Sequence, residues 1–197
     1  YLTTAPGAVR NDSTILTGTS TPTEPAPTPT PEPEPEPEPT PPPPPPSGTP
    51  VKLRVMEWNI HHGVGSDGVY DLDRLATWMA KVNPDVVLLN EVEKYTGWGN
   101  EDQPARFKAL LQAKTGRTWY AHFAQEFGQW YSNGKGHLIL STYRFDSVGY
   151  TAITPSSGLK GAGAASQATI TVNGRTINFI LSHLDPYDQT MRLTQAR

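Results

Sequence analysis

The apolar positions between residues 53 and 93 fall into three blocks of different period. Leu53, Val55, Met56, Trp58 and Ile60 form a short, nearly continuous run with Asn59 set into it, the pattern of a buried strand that ends at a functional edge. Leu72, Leu75, Ala76 and Met79 then recur at i, i+3, i+4 and i+7. That spacing predicts a helix over 71–82, with Asp71 as its cap and Asn83-Pro84 as its stop. A second apolar run, 86–89, ends in Asn90-Glu91. Strand, crossover helix and strand give two parallel neighbours joined by a right-handed connection, so Asn59 and Glu91 should emerge at the same sheet edge.

Downstream, residues 94–103 are polar with Gly97 and Gly99 and predict an exposed loop. Asp102-Gln103-Pro104 opens a second helix whose buried stripe is Phe107, Leu110 and Leu111 and whose end is Gly116. Residues 118–123 alternate as a strand. The aromatic, glycine-rich stretch 127–136, with Trp130 and Tyr131, predicts a loop near the site mouth or edge packing, and 137–141 the next strand. Asn173-Gly174 between two β-rich runs, 164–172 and 175–182, predicts a hairpin, because both turn residues adopt positive φ. Its second arm is apolar on both faces over 177–181, predicts a buried strand, and delivers His183. Asp185-Pro186 predicts the start of a third helix.

Composition separates this region from what precedes it. Seventeen of the 21 prolines and only one of the 16 Lys and Arg lie in residues 1–50, which carry a formal charge of −5 against +2 for 51–197. Residues 19–50, built of Thr-Pro, Pro-Glu and a run of six prolines, cannot bury a core and predict an extended spacer of roughly 3 Å per residue. Residues 1–18 read as the tail of an upstream β-rich domain, with Asn11-Asp12-Ser13 either a glycosylation acceptor or a polar turn. Residues 51–197 read as the functional domain. A charge of +2 suits a phosphate-bearing substrate and falls short of a nucleic-acid footprint. The lack of cysteine excludes disulfides and thiolate metal sites, and no apolar run is long enough to span a membrane. Tyr1 and the absence of a leader suggest a piece of a longer polypeptide, and the spacer suggests a secreted or cell-envelope monomer.

The pairing of WNIHHG with PDVVLLNEVE, followed by TINFILSHLDP, resembles the endonuclease/exonuclease/phosphatase family of metal-dependent phosphoesterases, which includes deoxyribonuclease I types. The resemblance implies an α/β two-sheet sandwich flanked by helices. It implies that Asn59 and Glu91 hold a divalent ion, Mg²⁺ or else Mn²⁺ or Ca²⁺, and that His183 contacts the scissile phosphate, making Asn59, Glu91 and His183 the catalytic set. Asn90 stands where the family carries Gln, and His137 where it often carries Asn. The family's water-activating Asp-x-Asn and Asp-His motifs are absent, so the resemblance covers about three-fifths of a typical domain. A hydrolase whose present segment is inactive alone is the leading expectation. A non-catalytic phosphate-binding module on a stalk and a purely structural spacer domain are the alternatives. The phosphoester substrate stays open among nucleic acid, phospholipid and small esters.

Other residues weigh less. His61 and His62 invite a zinc site, but neighbours in a strand point to opposite sides; His61, with the parity of Asn59, is a second candidate for phosphate contact. Glu93 and Asp185 read as exposed. The glycine pairs Gly134/Gly136 and Gly161/Gly163 match no nucleotide-binding loop.

Overall fold

The structure, a computed structural model, describes residues 50–128, 133–156 and 163–197; the upstream tail, the spacer, Trp130, Tyr131 and Gly161 lie outside them. Among the described residues the strands are β1 (Val55–Asn59), β2 (Val86–Lys94), β3 (Tyr120–Phe127), β4 (Gly134–Ser141), β5 (Ser147–Ile153), β6 (Gly163–Val172) and β7 (Arg175–Ser182). The helices are α1 (Leu72–Val82), α2 (Gln103–Thr115) and α3 (Gln189–Gln195). They build a sheet of order β1-β2-β4-β3 and a second of order β5-β6-β7.

The two sheets and the two long helices make a layered α/β unit whose core alternates with the pleat. On β2, Val87 and Leu89 point to α1 and α2, meeting Leu72, Leu75, Met79, Phe107 and Leu111. Val86 and Leu88 point the other way with Ile139 of β4, and pack on Ala168, Ile170, Val172, Phe179 and Leu181 of the second sheet. Covering both faces requires apolar residues at successive positions, which is why 86–89 is an unbroken apolar run.

The predicted parallel pair is present: Val55 pairs with Val86 and Asn59 with Asn90. The Asp71 carboxylate caps α1 by accepting from Arg74 N–H, and Asn83 ends it at φ 50°. Asp102 caps α2 and Gly116 closes it at φ 67°. The hairpin turns on Asn173 and Gly174 at φ 51° and 74°.

Several expectations are corrected. β1 is not buried but an edge strand, with Val55 45% exposed, since a first strand paired on one side needs only one covered face. β2 does not stop at Leu89 but continues through a register shift to Lys94. The loop foreseen over 127–136 is shorter, because β3 reaches Phe127 and β4 starts at Gly134. β7 is covered on one face only: Phe179 and Leu181 are buried while Ile180 is 68% exposed, as befits an edge strand whose outer face has no layer above it. α3 begins at Gln189 with Asp188 as its cap, because the Asp185 carboxylate is already engaged in accepting from the N–H groups of Tyr187 and Asp188. β5 had no sequence signal.

Candidate active site

Parallel pairing sets the C-terminal ends of β1 and β2 side by side, and both chains break there into left-handed backbone. After Asn59, whose Oδ1 accepts from His61 N–H at 3.0 Å, a 3₁₀ turn runs His61–Gly63, with φ 46° at His61 and 59° at His62. On β2 the register slips between Leu89 and Val92, and Glu91 in that bulge has φ 59°. A non-glycine residue in this region costs about 1–2 kcal/mol, and bulges re-aim side chains. Here the bulge turns Glu91 to the rim instead of into the core.

Two segments converge on the Glu91 carboxylate. His62 Nε2 lies 3.5 Å from one of its oxygens. His183, just beyond β7 of the other sheet, brings its Nε2 to 3.9 Å from the second. His62 Nδ1 also meets the carboxylate of Glu93 at 2.6 Å. Behind these, Gln103 is fully buried and clips two backbone segments together: its Nε2 donates to His62 O at 2.9 Å and its Oε1 accepts from Glu93 N–H at 2.8 Å. The 95–101 excursion is pinned at its base by Lys94 on Asp102 at 3.0 Å. It returns Trp98 over the His62 ring, stacked 4.7 Å away and 9° from parallel.

Burial holds the His183 imidazole towards its neutral form, and the Glu91 charge opposes that only in part. Deeper in, Glu126 is buried, which pushes its carboxyl up to about 7; the Lys135 ammonium opposes the rise and Glu91 adds to it. His137 is fully buried and lowered to about 4 by desolvation. Its Nε2 meets the Ala164 carbonyl at 2.9 Å. A carbonyl only accepts, so Nε2 carries the hydrogen, and among the described residues Nδ1 is left as an acceptor with no partner, as is Asn90 Oδ1.

The donor set fits a divalent ion. Glu91 offers a hard carboxylate and Asn59 a carboxamide oxygen with a second lone pair beyond its His61 bond. The backbone strain and the paired imidazoles are concentrated at those same two strand ends. Among the described residues no group of three or more His, Asp or Glu side chains is arranged to hold an ion by itself.

Of the residues singled out from sequence, the structure brings Glu91 and His183 together and puts Asn59 on the neighbouring strand end. His61 is exposed on the outer side of the turn. His62, its ring on Glu91 and Glu93, is the one that reaches the carboxylates, because the pair sits in a left-handed turn and not in a strand where parity would apply. Glu93 and Asp185 are buried, at 3% and 1% exposure. His137 faces the second sheet and lies off the rim. Glu126 and Gln103 went unnoticed; the only sequence hints were a carboxylate inside an alternating strand and a polar residue at a helix start. A cleft of about 320 Å³ lined by Lys52, Leu53, Arg54, Asn83 and Asp85 lies at the opposite end of β1 and is separate from this chemistry.

Comparison with known proteins bears on the family and the fold. No protein of curated function matches the sequence significantly. Among solved structures, an endonuclease/exonuclease/phosphatase from Beutenbergia cavernae is similar at 28% identity and TM-score 0.58, over 73% of this chain and 42% of that one. A family protein from Leptotrichia buccalis is similar at 18% and 0.54, over 67% and 53%. A humanized D. rerio TDP2 is similar at 19% and 0.53, over 74% and 56%. The chain thus spans about half the length of these structures. The sequence model of the Endonuclease/Exonuclease/phosphatase family matches residues 56–194, and the chain belongs to that family.

Proposed function

We propose that the chain carries the metal- and phosphate-gripping part of a divalent-metal-dependent phosphoester hydrolase of the phosphodiesterase or nuclease type. Asn59 and Glu91 are its metal ligands, and Asn59, Glu91 and His183 its catalytic residues. The observation that carries the reading is the approach of His183, from the end of β7, to Glu91 at the β2 bulge, 3.9 Å away. Two partly buried residues, one on the first sheet and one just past the last strand of the second, meet there.

A bound Mg²⁺, Mn²⁺ or Ca²⁺ would supply Lewis acidity to a phosphoryl oxygen. The chain's own residues do the rest. Glu91 supplies the negative charge that retains the ion, and Asn59 a neutral oxygen beside it. His183 offers a ring N–H to a non-bridging oxygen, an interaction that strengthens as charge develops in the transition state. Near-neutral surroundings, at +2 over residues 51–197, let an anionic ester approach without electrostatic exclusion.

Water activation is not assigned to any residue present. Segment 1–197, with no Asp-x-Asn and no Asp-His pair, therefore binds metal with little or no turnover. The second reading is a non-catalytic phosphate- or surface-binding module tethered by a Pro-rich stalk. In either case residues 19–50 act as a spacer, in keeping with a secreted or envelope setting. Calorimetric titration of chain 1–197 with Mg²⁺, beside its Glu91→Ala variant, tests the site: binding should be lost in the variant. Metal binding indifferent to Glu91 would contradict the hydrolase reading. Strong Mg²⁺-dependent cleavage of bis-p-nitrophenyl phosphate by 1–197 would refute the inactivity of the segment.

A further inference from the structure

We propose that His62 is a third protein ligand to the ion held by Glu91, and that its nitrogen makes the site prefer Mn²⁺ and similar borderline ions over Mg²⁺. The inference rests on the reading of Glu91 as a metal ligand and adds to it a residue and an ion selectivity.

The argument starts from the tautomer. Glu93 is a buried carboxylate 2.6 Å from His62 Nδ1. A carboxylate accepts, so Nδ1 carries the hydrogen, and Nε2 is the ring nitrogen turned to Glu91. A histidine that binds a metal through one nitrogen characteristically donates the other N–H to a carboxylate, which fixes the ring and raises its basicity. Nε2 in turn lies 3.5 Å from Glu91 Oε2. That is longer than a charge-assisted hydrogen bond of about 2.7–2.9 Å, so Nε2 faces the Glu91 carboxylate without a close hydrogen bond to it. Bonds as short as the about 2.0–2.2 Å that zinc makes to nitrogen and oxygen would place two ligand atoms of one ion roughly 3.0–3.5 Å apart, a spacing that the 3.5 Å between Nε2 and Oε2 matches.

The ring is also held more firmly than a turn residue requires. Trp98 lies flat against it at 4.7 Å, the buried Gln103 amide holds its carbonyl, and its backbone sits at φ 59°. Fixing a ring from its edge, its face and its main chain is what preorganises a ligand. Imidazole nitrogen suits borderline transition ions, whereas Mg²⁺ favours oxygen donors and retains its waters. A ligand set of one carboxylate, one carboxamide and one imidazole therefore selects against Mg²⁺.

The test is binding of Mn²⁺ and Mg²⁺ to chain 1–197 by calorimetry, with the ¹⁴N coupling of bound Mn²⁺ read by pulsed electron paramagnetic resonance. Mn²⁺ should bind at least about tenfold more tightly than Mg²⁺. His62→Gln should lose about tenfold or more in Mn²⁺ affinity, with Mg²⁺ changed less than about threefold, and should lose ¹⁴N coupling. Equal losses for both ions would make His62 a positioning residue only and overturn the proposal, as would wild-type Mn²⁺ spectra without directly bound nitrogen, a result that stands even if the variant fails to fold. Mn²⁺ binding unaffected by Glu91→Ala would instead overturn the underlying site assignment.

Discussion

Buried titratable residues beside the rim give the chain a pH signature. His137 has a folded-state value of about 4 against an ordinary 6.5, so the unfolded chain takes up the proton first. Its contribution to stability is present above pH 6.5 and lost as pH falls towards 4, on the order of 3 kcal/mol. Glu126, raised from 4.5 to about 7, acts oppositely: its contribution is present below pH 4.5 and lost as pH rises towards 7. The two offset each other in the wild type. Glu126→Gln should therefore show a melting temperature that drops more steeply between pH 6.5 and 4 than the wild type's, by scanning calorimetry in chelator. Parallel profiles would contradict these assignments. Gln103→Ala strands a buried His62 carbonyl and Glu93 amide and should cost about 2–3 kcal/mol in urea unfolding, weakening Mn²⁺ binding as well. Asn59, Glu91 and His183 were singled out in sequence by the resemblance of their three motifs to the family, the apolar runs beside them placing each near a strand end. His62, Glu93 and Glu126 were not, since what defines them is a bulge and a left-handed turn, features of three-dimensional register that no periodicity carries.

At the level of elements, periodicity located α1, α2, the parallel pair and the hairpin, because each combines a repeating buried face with a specific stop or turn residue. It failed at edges. β1 and β7 carry apolar residues on both faces yet lie at sheet margins, and β5 is short, exposed and nearly unpatterned. Where the elements lock, polar residues do the work. Arg117 donates to Asn83 Oδ1 and Pro84 O, to Asp85 at 2.7 Å and to Thr142 at 2.8 Å, tying the loop after α1 to the one after β4. Arg117→Ala should lower stability by about 1–3 kcal/mol and leave metal affinity unchanged, because this knot sits at the end of the sheet away from Glu91. Loss of metal binding in that variant would mean that the two ends are coupled.

For the whole molecule, the proposed metal ligand and the proposed phosphate contact belong to different layers: Glu91 lies on the helix-backed sheet, and His183 just past the margin strand of the second. An ion or phosphate gripped by both should fasten the sheets together. Saturating Mn²⁺ at about a hundredfold over its dissociation constant would then add about 2.7 kcal/mol to folding stability, seen as a rise in melting temperature that Glu91→Ala abolishes. The two-sheet α/β architecture was legible through the family resemblance of the three motifs, whereas periodicity alone does not carry the division into two sheets, which depends on which pleat face each strand buries.

The central claim is that three separate strand ends form one cation-binding rim, and paramagnetic broadening of assigned backbone amides by substoichiometric Mn²⁺ addresses it most directly. The account predicts that the amides of 59–62, 90–93 and 182–184 broaden together, ahead of all others. Broadening centred on the exposed carboxylates of Asp67 and Asp73, or confined to one of the three segments, would contradict it.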